Sequence, residues 1–303
     1  MQCQGLIRAN NLRRPPKLWR TSVSYALIKV KFADLHLHTT YSDGTYTPEQ
    51  LISEANSAGL SAISVVDHDT IEGIDLTIEA ALKEGIEVVP GIELSAEYEN
   101  IEIHILGYLI DYKNKDLLAR LSVLERIRID RIYKIVDKLK ALGLNLNPET
   151  VFEIAGKGTV GRLHIARAMV KDGIVNSTFE VFHKYLGDKC PANVLGFKFS
   201  PQEAIKLIRD SGGISVLAHP YTLKNDELIP KFVEYGLMGL EVYYPEHSQG
   251  TINFYLGLCE KYNLLVTGGS DCHGIAKPEV RIGSIKLPYE LVEKLKKAKA
   301  DLK

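Results

Sequence analysis

Asp34-Leu35-His36-Leu37-His38-Thr39-Thr40-Tyr41-Ser42-Asp43-Gly44 is the stretch that decides how this chain is read. Leu35 and Leu37 alternate with His36 and His38, the period of a β-strand, so both imidazoles face one side of a sheet. Thr39 to Gly44 reads as a loop at the carboxyl end of that strand, from which Asp43 can turn back toward the histidines. Two adjacent imidazoles with carboxylates close in sequence suit a divalent transition metal. Taken alone, the His-x-His pair reads equally well as two buried, hydrogen-bonded histidines. The rest of the chain decides between these.

A chain of 303 residues, 45% hydrophobic and 25% charged, has an ordinary globular composition and length for one large or two modest domains. It has no apolar run of about 18 residues, so no membrane-spanning helix is expected. Cys3, Cys190, Cys259 and Cys272 form no Cys-x-x-Cys pair. They fit a reducing, cytoplasmic setting better than a disulfide framework. Cys272 stands between Asp271 and His273 and reads as a packed neighbour of a site rather than a ligand or nucleophile.

The net charge of −1 hides an asymmetry. Residues 1–33 hold seven Lys or Arg and no acid, which leaves 30 basic against 38 acidic residues, a formal −8, on the remainder. An acidic body argues against binding long nucleic acid and leaves a small nucleotide ligand open. Residues 1–30, Arg-rich and aperiodic around Pro15-Pro16, read as a disordered tail or an over-extended start.

From residue 32 strand and helix alternate. Phe32–Leu37 is a strand. Thr47-Pro48-Glu49-Gln50 opens a helix, with Thr47 as N-cap, Pro48 in the first turn and Gln50 at the capping-box position. Strands at 62–66, 87–90 and 101–106, with a helix at 74–84, predict βαβ units and a parallel sheet. Residues 114–142 then read as one long amphipathic helix. Its Arg120, Arg126, Arg128, Arg131, Lys134, Lys138 and Lys140 are read as a solvated face before a phosphate-attracting wall. Helices near 149–155, 161–172 and 178–186 follow. The alternation resumes after Pro191: a helix capped by Ser200 and Glu203, strands at 214–218, 239–243 and 264–271, and helices at 253–262 and 288–299.

The deciding pattern is where potential ligands fall. His36, His38, His68, Glu93, His104, His219, Asp271 and His273 all sit in or just after predicted strands. In a barrel of parallel strands the carboxyl ends meet on one face, so residues distant in sequence converge in one pocket. Six of nine histidines behave this way, against the scatter expected of merely buried histidines. With Asp43 the set has nine members, too many for one ion and suited to two or three. Glu93 is the natural bridge, because a carboxylate can span two metals.

These motifs resemble the PHP (polymerase and histidinol phosphatase) family: Asp34-x-His36-x-His38 with Ser42-Asp43-Gly44, Asp67-His68-Asp69, Gly91-Ile92-Glu93-Leu94-Ser95, His104, Ala218-His219-Pro220 and Gly269-Ser270-Asp271-x-His273. The match runs over roughly residues 31–303. The resemblance implies an α/β fold, a distorted (β/α)7 barrel formed by residues 31–113 and 190–303, with 114–189 as a helical insert capping the substrate. It implies three divalent metal ions, manganese above all, with iron or zinc as substitutes. The implied ligands are His36, His38, Asp43, His68, Glu93, His104, His219, Asp271 and His273.

Gly161-Arg162-Leu163-His164-Ile165-Ala166-Arg167 resembles the segment that grips the substrate phosphate in stand-alone members of the family, making Arg162 and His164 catalytic candidates. Arg162 suits a phosphate through its planar fork of donors. Both side chains could reach the site if a helix begins here with its N-terminus toward the phosphate. Asn193 stands where the family commonly has an aromatic, which weakens base stacking there. His183 and His247 read as surface or packing residues.

The function expected is hydrolysis of a phosphate ester by metal-activated water. The resemblance points to a small nucleotide, either a nucleoside 3′,5′-bisphosphate or the 5′ end of short RNA. The alternatives are a histidinol-phosphate phosphatase, a metal-dependent amidohydrolase, and a nucleotide-binding protein without catalysis. The insert argues against the first. The Asp67-His68-Asp69 and Ser270-Asp271-x-His273 segments fit the second poorly.

Overall fold

The structure, a computed structural model, describes residues 30–196 and 199–302, so the expected tail lies almost wholly outside the described residues. The chain opens with β1 (Phe32–Leu37), α1 (Pro48–Ser57), β2 (Ala62–Val65) and α2 (Gly73–Glu84). The Thr47 capping box is formed: Thr47 Oγ1 accepts from the Gln50 amide at 3.3 Å, and Gln50 Oε1 accepts from the Thr47 amide at 2.9 Å. β3 (Glu87–Tyr98) and β4 (Ile101–Tyr108) follow.

Here the structure departs from an all-parallel sheet. β3 runs on past residue 90 and pairs with β4 antiparallel from Gly91↔Tyr108 to Tyr98↔Ile101. Two left-handed residues, Glu99 (φ 50°) and Asn100 (φ 65°), make a tight two-residue turn whose twist matches a hairpin, and that turn leaves no room for a crossover helix.

The helical insert comes next: α3 (Lys115–Ala141), α4 (Pro148–Ala155), α5 (Arg162–Lys171) and α6 (Thr178–Val181), the last running into a π-helical turn at Phe182–Leu186. The barrel resumes with α7 (Pro201–Asp210), β5 (Ile214–Leu217), α8 (Leu228–Glu234), β6 (Gly239–Tyr243), α9 (Gln249–Tyr262), β7 (Leu265–Gly268), β8 (Leu287–Pro288) and α10 (Glu290–Asp301). The sheet order is β7-β6-β5-β4-β3-β2-β1-β8, with β4–β5 and β1–β8 also antiparallel.

The sheet curls until its ends almost meet. The His38 amide donates to Cys272 O at 3.1 Å and the Asp271 amide to His36 O at 2.8 Å, which stitches β1 to the segment after β7. The result is a nearly closed eight-stranded barrel. It carries one strand more than the expected seven because β8, two residues long, adds to the far side of β1.

α3 belongs to two cores. Leu117, Leu121 and Leu124 pack with barrel residues such as Ile103, Ile105 and Phe232. Ile132, Ile135, Val136 and Leu139 pack with Val151, Ile165, Met169 and Leu186 of the insert. The helix therefore holds the insert over the end of the barrel where β1, β2, β5 and β7 finish.

Candidate metal centre

The nine predicted ligands converge there. His36 and His38 leave β1 toward the barrel mouth, His68 follows β2, His219 follows β5, and Asp271 and His273 follow β7. His104 reaches the same place from within the antiparallel β4, opposite Ser95 of β3. Its position thus follows from the hairpin rather than from the strand-end rule. His219 and Asp271 have left-handed backbones, φ 28° and 54°, conformations unfavourable outside glycine that the surrounding bonds hold in place.

Glu93 lies at the middle. Its Oε2 is 3.3 Å from His36 Nε2, 3.3 Å from His38 Nε2 and 3.2 Å from His68 Nδ1. Its Oε1 is 2.9 Å from His104 Nδ1 and 3.2 Å from His219 Nε2. Around it three overlapping groups gather ligand atoms within 4.8 Å of one another: His38, Asp43, His68 and His273; His36, His38 and Asp271; His68, Glu93 and His104. His219 Nε2 adjoins the third group, 3.2 Å from His104 Nδ1.

The donor chemistry fits divalent ions. His38 Nε2, Asp43 Oδ1 and His68 Nδ1 are buried without a hydrogen-bond partner among the described residues, a costly arrangement unless something else satisfies them. Burial, with His273 beside it, lowers the pKa of His38, and burial drives His68 well below its ordinary value. Both therefore offer neutral imidazole lone pairs, the form that binds a metal. Burial opposes ionisation of Glu93, yet His68, His104 and His36 hold its carboxyl well below the usual carboxylate range.

A supporting layer fixes these groups. Glu241 Oε1 lies 2.8 Å from His36 Nδ1, leaving Nε2 to face the centre, and Glu241 Oε2 accepts the His219 amide at 2.7 Å. Tyr244 Oη and Lys277 Nζ both donate to Asp271 Oδ2, at 2.9 and 3.1 Å. Asp67 accepts from the Thr39 amide, Thr39 Oγ1 and Ser42 Oγ and so shapes the loop that carries Asp43. Ser42 and Asp67 stood in the motifs quoted above without a role, and Glu241, Tyr244 and Lys277 were not singled out in the sequence. For Glu241 the signal was there: an acid within the apolar strand Gly239–Tyr243, and it is fully buried.

The centre floors a cavity of about 150 Å³ whose other wall is cationic: Arg128, Arg131, Arg162 and Lys277. Arg162 is the first residue of α5, and its Nη2 lies 3.2 Å from Glu102 Oε2. Gly161, the N-cap of α5, and Arg162 and Leu163 of its first turn line the same cavity, so a helix N-terminus lies beside it. Two cations of the long helix depart from the expected solvated face. Arg128 and Arg131 are each only 5% exposed, Arg128 bound to Asp69 and Ser95, Arg131 to Glu102. Burial opposes the charge of Glu102, but Arg131 and Arg162 hold its carboxyl well below its ordinary value.

His164 is turned away from this cavity. Its Nδ1 accepts the Gly161 amide at 3.0 Å, and the ring lines a neighbouring cavity with Thr40, Tyr41, Lys157 and Arg167. Burial pushes it down to about 4, so it is neutral at physiological pH. Burial pushes the Cys272 thiol up to about 11, and its sulfur packs against Gly274 and Val280, as expected of a packed neighbour. His183 stacks on the exposed Phe179, and His247 is buried on Val242 O.

Comparison with known proteins agrees with this geometry. The sequence profile of the PHP domain matches residues 34–156. The chain is 31% identical over 249 residues to a phosphoribosyl 1,2-cyclic phosphate 1,2-diphosphodiesterase of Eggerthella lenta, covering 80% of this chain and 94% of that protein. It is 32% identical to the 5′-3′ exoribonuclease Rnm of Escherichia coli (84% and 87%) and 30% identical to a 3′,5′-nucleoside bisphosphate phosphatase of Chromobacterium violaceum (79% and 86%). The crystal structure of a chain from Bifidobacterium adolescentis assigned as a metal-dependent phosphoesterase superposes with a TM-score of 0.81 at 29% identity, covering 87% of this chain and 94% of that one.

Proposed function

The chain belongs to the PHP-domain family and is a metal-dependent phosphoesterase, and on that premise we propose that it hydrolyses phosphate esters of small nucleotides. The substrates we assign are a nucleoside 3′,5′-bisphosphate and the 5′ end of short RNA, in keeping with the relatives from C. violaceum and E. coli.

One observation carries the reading. An imidazole-and-carboxylate centre faces a wall of guanidinium and ammonium groups across a cavity of about 150 Å³. A tetrahedral dianion complements both sides at once. An amide carbonyl has no use for the cationic wall, so the amidohydrolase alternative is disfavoured. We assign three divalent ions, manganese first, one to each ligand group, with His219 completing the group around Glu93. Bound there, they supply Lewis acidity that makes water nucleophilic near neutral pH and offsets charge on phosphorus oxygens.

The chain's own residues do the remainder. Arg162 and the first amides of α5 bind the non-bridging oxygens, and Lys277, which lines the same cavity and donates to Asp271, neutralises further charge there. Glu102 holds Arg162 in place, and Leu186 O accepts from Arg162 Nη1 at 3.3 Å. His164 acts on the same site as a positioning residue: by capping the Gly161 amide it fixes the start of α5, from which Arg162 projects. Among the described residues no helix is long and apolar enough to cross a membrane. The free thiols of Cys190, Cys259 and Cys272 fit a reducing compartment, and we assign the work to the cytoplasm on that ground.

The test is a panel on manganese-loaded enzyme: adenosine 3′,5′-bisphosphate, AMP, a 5′-phosphorylated short RNA, phosphoribosyl 1,2-cyclic phosphate, histidinol phosphate and an amide. Release of phosphate from the bisphosphate, or of nucleotides from the RNA, is expected. Turnover of histidinol phosphate or the cyclic phosphate alone would overturn the nucleotide assignment while leaving the metal centre intact.

A further inference from the structure

The cavity at the metal centre, about 150 Å³, has room for little more than a phosphoryl group and part of a sugar. A longer substrate must continue outside it. A second, larger cavity, about 680 Å³, runs along the outer side of α3, lined by Lys134, Lys138 and Lys189, with Asn100 and Val194 on its other wall. The two cavities share a partition. Arg131 donates from Nη2 to Glu102 in the metal cavity, at 2.7 Å, and from Nε to Val194 O in the outer groove, also at 2.7 Å.

The charge pattern suits a phosphodiester backbone. Arg131, Lys134 and Lys138 are spaced three and four residues apart on α3, so they form one stripe leading outward from the metal centre. Lys134 and Lys189 are exposed and have no ion-pair partner among the described residues, while Lys138 Nζ donates to Asn193 O at 2.7 Å. Asp137 is the one acid among the lining residues, leaving a formal excess of two positive charges. That excess sits on a body whose formal charge beyond residue 33 is −8, so it is a local feature rather than a general basicity. Among the described residues the groove is lined by lysines and no aromatic ring, a lining that suits contact with phosphates, which carry no sequence information.

We propose that this groove is the track for the body of a single-stranded oligonucleotide whose 5′-terminal phosphate lies at the metal centre. The proposal rests on the phosphoesterase reading above. It adds a strand-binding site that the metal centre does not need for a mononucleotide.

The test compares the manganese-loaded full chain with Lys134→Gln/Lys189→Gln on two substrates, adenosine 3′,5′-bisphosphate and a 5′-phosphorylated RNA pentamer. In the variant, KM for the pentamer should rise about tenfold with kcat unchanged. The slope of log KM against log salt should flatten by about 1.4, two single-strand phosphate contacts. The bisphosphate should be turned over as in the wild type. Equal effects on both substrates, or no effect on the pentamer, would overturn the groove. Binding of a 3′-fluorescein, 5′-phosphorylated pentamer to metal-free protein, followed by anisotropy, reads the groove without turnover. If neither substrate is hydrolysed the phosphoesterase substrate assignment fails, and anisotropy still decides the groove: weaker binding by the variant supports it, equal binding overturns it.

Discussion

The barrel mouth and the insert wall face each other across one cavity, but they solve opposite electrostatic problems. The mouth gathers six imidazoles and three carboxylates whose ligand atoms stand close together, with His38 Nε2, Asp43 Oδ1 and His68 Nδ1 left without a hydrogen-bond partner among the described residues. That arrangement is costly until cations fill it. The wall gathers Arg128, Arg131 and Arg162, and each is tied to a carboxylate or carbonyl: Asp69 and Ser95, Glu102 and Val194, Glu102 and Leu186. The mouth is built to be completed by metal. The wall is balanced already and lends its donors to a phosphate without needing one to fold.

If that contrast is right, damage to the mouth costs the metal and damage to the wall costs only the chemistry. His38→Asn or Asp271→Asn should lower kcat by about a thousandfold or more and deplete bound metal by elemental analysis, beyond the 10–100-fold typical of an outer partner. Normal metal content in either variant would break the comparison at its strong end. Arg162→Ala should lower kcat by about a hundredfold with metal content unchanged; full activity would remove α5 from the phosphate site.

Glu241→Gln tests the support beneath the mouth. It keeps the shape but weakens the hold on His36 and the His219 amide, so metal affinity by titration should fall about 10–100-fold, while saturating metal restores much of the rate. Metal-independent loss of activity would instead assign Glu241 to the chemistry.

The wall also has a proton signature. Burial depresses His164 to about 4, so the unfolded chain takes up a proton that the folded chain refuses. Its contribution to stability is complete above the unfolded value near 6.5 and is lost as pH falls toward 4, about 3 kcal/mol in all. Denaturant melts of the wild type and His164→Asn should converge over that window; parallel curves would mean that the histidine is not held neutral. The smallest effect is expected at Cys272→Ala. Metal content and kcat should stay unchanged because the thiol is a packed neighbour, and a lost metal would make it a ligand after all.

What was legible in the sequence follows from locality. His36 and His38 share a strand face by the period of two, and Asp271 and His273 stand just past a strand end, so their convergence could be read without coordinates. Helix starts at Thr47 and Ser200 were equally local, because a capping box is written within four residues. The strand-end part of the centre, His36, His38, His68, His219, Asp271 and His273, was therefore legible in the sequence.

The supporting and opposing groups were not, because their roles are set by partners far along the chain. Glu241 acts on His36 across 205 residues, Arg128 on Asp69 across 59 and Arg131 on Glu102 across 29. The periodicity of α3 marked an amphipathic helix but could not say that its first half would enter the barrel core and its second half the insert core. That division turns Arg128 and Arg131 inward and leaves Lys134 and Lys138 on the outer groove. Nor could alternation of strand and helix foresee that Glu99 and Asn100 would close a hairpin and bring His104 in on an antiparallel strand. Period and capping fix which residues can face a site, and only packing fixes which charges meet there, because a charge is neutralised by what lies near it in space and not by what precedes it in the chain.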